Sequence, residues 1–132
     1  MSVDNSVLRS EIRMTRHGVG DPESLVTALR HSVLLVPRSG EDGLVAGDRG
    51  GLRWIHAFTS AERLADFFLA RGEGDQPVSY LTVRGDRLLD VALPRAGGPA
   101  GLAVDVASEE PMLFPAAVGV VPVEQAIDRE VA

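Results

Sequence analysis

LRWIHAFTSAERLADFFLA, residues 52–70, switches its hydrophobic period halfway along. Leu52, Trp54, His56 and Phe58 alternate with Arg53, Ile55 and Ala57, the period of two that predicts a β-strand with two distinct faces. From Ser60 to Ala70 the spacing becomes helical, with Leu64, Phe67 and Phe68 on one side and Ala61 and Ala65 beside them. Thr59 followed three residues later by Glu62 reads as a capping box at the junction, and Arg71-Gly72 as the helix stop. A strand that feeds straight into a helix, in a chain with several other strand-like runs, points to an α+β domain.

Outward from that junction the signals continue in both directions. Asp21 is placed to cap a helix that Pro22 opens, with Leu25, Ala28 and Leu29 as its apolar stripe. Ser32 to Val36 reads as a buried strand closed by Pro37, and Gly43 to Ala46 as a second strand between turns at 39–43 and 47–51. Downstream, Val78 to Arg84 has a strand's composition. Asp86 to Leu93 reads as a short helix, Leu102 to Val106 as a strand, and Ser108 to Pro115 as an irregular acidic loop. Val118 to Val121 is a final strand candidate and Pro122 to Val131 a short helix. The expected architecture is a two-layer α+β fold, a mixed five- to six-stranded sheet with about three to four packed helices. Residues 22–115 make its core and 116–132 a C-terminal extension. Residues 1–21, where Val7, Leu8, Ile12 and Met14 mingle with Arg9, Arg13 and Arg16, form an arm that is either disordered or ordered on a partner or dimer mate.

Four of these features, in this order, resemble the SseB protein N-terminal domain family of bacteria. They are the helix and aliphatic run of Leu25 to Pro37, the junction Phe58-Thr59-Ser60-Ala61-Glu62, the helix of Leu64 to Leu69, and Gly101-Leu102-Ala103-Val104-Asp105. The likeness spans roughly Pro22 to Pro115. It departs where similar proteins often carry a proline and a glycine before the serine; here Val106 and Ala107 precede Ser108. The resemblance implies an α+β fold and brings no catalytic residue or cofactor with it.

Composition narrows the chemistry. At 132 residues, 45% apolar and 24% charged, the chain has the proportions of one ordinary globular domain able to bury a core without staples. It has no cysteine, which removes thiolate nucleophiles, disulfides and Cys-based metal sites. All 13 basic residues are arginine, so Schiff-base chemistry and a P-loop lysine are excluded; with abundant alanine, glycine and valine this suggests a GC-rich bacterial genome. A net charge of −6 disfavours nucleic acid and anionic membrane. Without a long apolar run or a leader-like start, the expected location is the cytoplasm.

His17, His31 and His56 stand in no metal-ligand spacing, and the pairs Glu62/Asp66 and Asp86/Asp90 sit among arginines as solvated helix faces do. No catalytic residue, metal or cofactor is therefore expected. The candidates for partner binding are Trp54 and His56, if their strand face is exposed rather than core, and Glu109, Glu110, Met112 and Phe114 on the acidic loop. The leading expectation is a non-catalytic, cytoplasmic adaptor that binds another protein. An immunity-type binder that neutralises one cognate protein comes next, and a small hydrolase using Asp, Glu and His after it.

Overall fold

A computed structural model describes residues 4–40, 43–96, 98–117 and 120. In chain order the elements are α1 (Ser6–Arg16), α2 (Pro22–His31), β1 (Val33–Ser39), β2 (Gly43–Leu44), β3 (Ala46–Arg49), β4 (Leu52–Ala57), α3 (Ala61–Ala70), β5 (Tyr80–Arg84), α4 (Gly85–Arg87), β6 (Ala100–Val104) and β7 (Met112–Pro115). Beyond α4 the chain keeps coiling through a π turn (Leu88–Ala92) and a 3-10 turn (Leu93–Arg95). The strands make a three-stranded sheet, β2-β1-β5, and a four-stranded sheet, β3-β4-β6-β7. Among the described residues only the β4–β6 pair is parallel. The chain is thus α+β, as its periodicity predicts, with the strands divided between two sheets instead of lying in one.

Pro37 explains the division. It lies inside β1, opposite Tyr80 of β5, where the sequence had suggested a strand end. Its carbonyl accepts the Val45 N–H at 3.0 Å, but proline has no N–H to return to the Val45 carbonyl. That carbonyl accepts from His56 N–H of β4 instead, at 3.1 Å. The segment 43–49 therefore begins against β1 as β2 and ends against β4 as β3. Phe58, just past β4, closes the loop by exchanging two hydrogen bonds with Leu35 of β1, at 2.8 and 2.9 Å. Gly50 and Gly51, with φ of 63° and 77°, form the tight turn between β3 and β4, a backbone that residues with side chains resist. Strand β3 thus includes Gly47 to Arg49, which had read as part of a turn.

Alternation along β1 sends side chains to two cores. Leu34 and Val36 join Leu8 and Ile12 of α1, Leu25 and Leu29 of α2, Ile55 and Ala57 of β4, and Ala100, Leu102 and Val104 of β6 in the larger cluster. Leu35, on the opposite face, meets Phe58, Leu64, Phe67 and Phe68 under α3. Helices therefore cover both faces of the strands. Burying each large side chain contributes about 1.5–3 kcal/mol.

Two expectations are corrected here. The N-terminal arm is not free: α1 packs on α2 and buries Leu8 and Ile12 completely in the larger core. The acidic loop is shorter than expected, because Met112–Pro115 is strand β7, paired with β6. Its alternation turns Phe114 into the core and Met112 against it, and leaves Leu113 outward. Phe114 is thus unavailable to a partner. The strand and helix expected across 118–131 fall outside the described residues, Val120 excepted.

Candidate functional site

Strands β4 and β6 run side by side in the same direction, so their carboxyl ends arrive at one edge, where α3 begins. Asp105 follows β6 there, and its N–H donates to the Ala57 carbonyl at 3.0 Å, extending the ladder one step. The residue is fully buried and takes a left-handed backbone with φ of 53°, which among residues with side chains Asp and Asn tolerate best. That turn of the chain aims its carboxylate across at the start of α3. Oδ1 accepts the Thr59 N–H at 2.8 Å, and Oδ2 accepts the Thr59 hydroxyl at 2.7 Å and Nη1 of Arg63 at 2.9 Å.

With Thr59 taken up in this way, the cap of α3 falls to Ser60, whose hydroxyl accepts the Arg63 N–H at 3.2 Å. The capping box expected from Thr59 and Glu62 is therefore not formed. One turn into the helix, the Arg63 guanidinium reaches both Asp105 and, at 3.6 Å, Glu110. Glu110 in turn is clasped by Arg13 of α1, at 2.7 and 3.2 Å. This clasp holds the Glu110 carboxyl below its usual pKa and raises that of Arg13. Ser108 braces the turn by donating to the Asp105 carbonyl and accepting the Glu110 N–H. Asn5, ahead of α1, donates to the carbonyls of Val33 and Thr59 at 2.8 and 3.0 Å. Chemically, this cluster is a clamp: each Asp105 oxygen is engaged by Thr59 or Arg63, and the ends of two parallel strands, α3 and α1 are tied through it.

The residues singled out for partner binding do not converge. Trp54 is half-buried; its ring lies over Gly101 of β6, and its Nε1 donates to the Arg49 carbonyl at 3.2 Å. His56 stacks against Phe67 with ring centroids 4.7 Å apart, on the α3 side, while Met112 and Phe114 belong to the opposite core. Glu109 is exposed and Glu110 is committed to the clamp. Sequence reasoning passed over Asp105, Arg63 and Asn5 as members of one site. A carboxylate ending a five-residue apolar run was the one available signal, since it had to be either satisfied or costly.

His56 gives a pH test of this packing. Burial, helped by the nearby Arg71 cation, pushes its pKa below the ordinary 6.5, and its buried Nδ1 meets no partner among the described residues. The native protein thus refuses a proton that the unfolded chain accepts, so stability is complete above about pH 6.5 and declines as the pH falls from there toward the lowered native value. Chemical denaturation of the wild type and of His56→Phe between pH 7.5 and 5.5 should show a steeper decline in the wild type. Equal slopes would mean that His56 titrates freely.

A separate feature lies between α1 and α2. An open cleft of about 950 Å³ is lined by Val7 and Leu8 of α1, by Thr27, Ala28 and His31 of α2, and by Asp4, Asp21 and Glu23, of which Asp4 accepts the Ser6 N–H and Asp21 the Ser24 N–H. Val7 is 68% exposed within it. Among the described residues no group of three His, Asp or Glu side chains is placed to hold a metal, and no helix is long and apolar enough to cross a membrane.

Comparison with known proteins gives one match: the family model described as SseB protein N-terminal domain covers residues 13–118. No curated protein and no solved structure matches. The matched span contains Thr59, Arg63, Asp105 and Glu110. Two of the segments that carry the likeness, at 58–62 and 101–105, are thus joined by the Thr59–Asp105 contact.

Proposed function

Since the chain belongs to the SseB protein N-terminal domain family, we propose that it is a non-catalytic adaptor of the bacterial cytoplasm whose α1–α2 cleft holds a basic segment of another protein. The observation that carries this reading is the composition of the cleft, in which the apolar Val7, Leu8, Ala28 and Val33 stand together with three carboxylates, on a chain of net charge −6. An arginine- or lysine-bearing segment with one aliphatic side chain suits it. The aliphatic group would cover Val7, and the cations would meet Asp4, Asp21 and Glu23. Trp54 and Glu109 lie away from this cleft and are not part of the reading. If the bound segment belongs to its owner's active surface, the same contact serves a neutralising binder.

A fluorescent twelve-residue amphipathic peptide of leucine and arginine serves as the probe, with a leucine–glutamate peptide as control. The arginine peptide should bind, weaken as salt is added, and lose about tenfold in affinity with Glu23→Lys, equivalent to ~1.4 kcal/mol. Amide shifts on binding should fall on Val7, Glu23 and Thr27. Equal binding of both peptides, or shifts confined to other surfaces, would overturn the reading.

A further inference from the structure

Strand β5 ends its sheet, and among the described residues no strand lies on its outer side. Other edges carry the usual protections. Strand β3 holds Asp48 and Arg49, β7 ends in Pro115, and β2 spans only two residues. Strand β5 begins with four uncharged residues, Tyr80-Leu81-Thr82-Val83, of which the first three are exposed.

The phase of its free backbone groups can be read from β1. Leu35 spends its N–H and carbonyl on Phe58, away from β5. Its register partner Thr82 therefore also turns both groups away from β1, to the outside. The flanking bonds, Arg38 N–H to the Ser79 carbonyl and Gly85 N–H to the Ser32 carbonyl, fix the same alternation. Among the described residues, Tyr80, Thr82 and Arg84 thus present an unpaired donor and acceptor each.

We infer that two copies of this chain pair edge to edge through β5, antiparallel, about a two-fold axis at Thr82. A register centred there sets Thr82 against its own copy, Tyr80 against Arg84, and Leu81 against Val83. The hydrogen-bonded positions are then 80, 82 and 84, the residues whose groups face outward. Side chains match as well. The Arg84 guanidinium, already held by Asp86 at 3.1 Å, meets the Tyr80 ring of the other copy, and the two Arg84 residues stay at opposite ends. An isologous contact needs a surface that complements itself, and this strand does. A partner of fixed charge finds little here to recognise, because the central residues are neutral.

One strand pair is a small interface, so dissociation on the order of 10–100 μM is expected. Because both copies carry net charge −6, added salt should tighten the dimer, the opposite of its effect on a basic peptide in the cleft. Sedimentation velocity from about 5 to about 500 μM should show the wild type passing from monomer to dimer. Thr82→Lys and Thr82→Glu, each placing like charges face to face on the axis, should remain monomeric, and an equimolar mixture of the two should dimerise. Thr82→Pro, which removes an outward N–H without touching the β1 ladder, should also be monomeric. A wild type that stays monomeric at the highest concentration overturns the inference, and so do lysine and glutamate variants that still dimerise alone. Peptide binding in the cleft should be unchanged in all three variants, so the two proposals fail separately.

Discussion

Replacing Asp105 with alanine is expected to remove about 3–5 kcal/mol of stability and to lower the melting temperature by roughly 10–20 °C. The carboxylate is fully buried, whereas Arg63 keeps about a fifth of its side chain in solvent. Removing the anion leaves the Thr59 N–H and hydroxyl without acceptors in the interior, and leaves a mostly buried guanidinium short of its nearest counter-charge. Alanine also suits the φ of 53° less well than aspartate. Asp105→Asn should cost clearly less than alanine, because asparagine tolerates this backbone and one oxygen still accepts from Thr59. Thermal unfolding of the two variants side by side tests this, and equal losses would mean that neither the hydrogen bonds nor the backbone geometry distinguishes them.

Gly85→Ala should be comparably damaging, with a loss of roughly 3 kcal/mol or more. Gly85 is buried where α4 starts against the end of α2, and a Cβ there would run into the Leu29 carbonyl oxygen. Backbone cannot step aside as a side-chain tip can. Relief would require α4 and α2 to separate, opening the contacts of Leu88, Leu89 and Leu29, all completely buried. Gly98→Ala makes the control: a Cβ at that position meets nothing, so its melting temperature should hold. Urea denaturation of both variants measures the difference; a Gly85→Ala protein as stable as the wild type would show that the helix pair is looser than described.

The parts of the fold legible in the chain were those decided by near neighbours. Strand β4, helix α3 and the Asp21-capped helix α2 announce themselves through periodicity and caps that act over three or four residues. What stayed hidden depends on partners far away. Thr59 and Ser60 are equally able to cap a helix, and the choice between them is made by Asp105, 46 residues downstream. Helix α1 has no acidic residue in its first turn and no capping bond from Asn5, whose Nδ2 donates to the Val33 and Thr59 carbonyls instead; Asp4, one residue earlier, accepts the Ser6 N–H. The four-residue spacing of Leu8 and Ile12 suits a helix, but that the segment docks instead of hanging free is decided by the packing of those two side chains in the core. Prolines misled twice. Pro37 looked like a strand end and is a transfer point between sheets, while Pro111 and Pro115 framed a segment that looked irregular and pairs as β7.

The clamp also bears on where this protein can be cut. The family match opens at Arg13, seven residues into α1. A fragment begun there would discard Asn5, Leu8 and Ile12, leaving a raw apolar seam on the larger core and two strand-end carbonyls stripped of their donor. Shared ancestry and autonomous folding thus mark different borders on this chain, and anyone shortening it for study should follow the second.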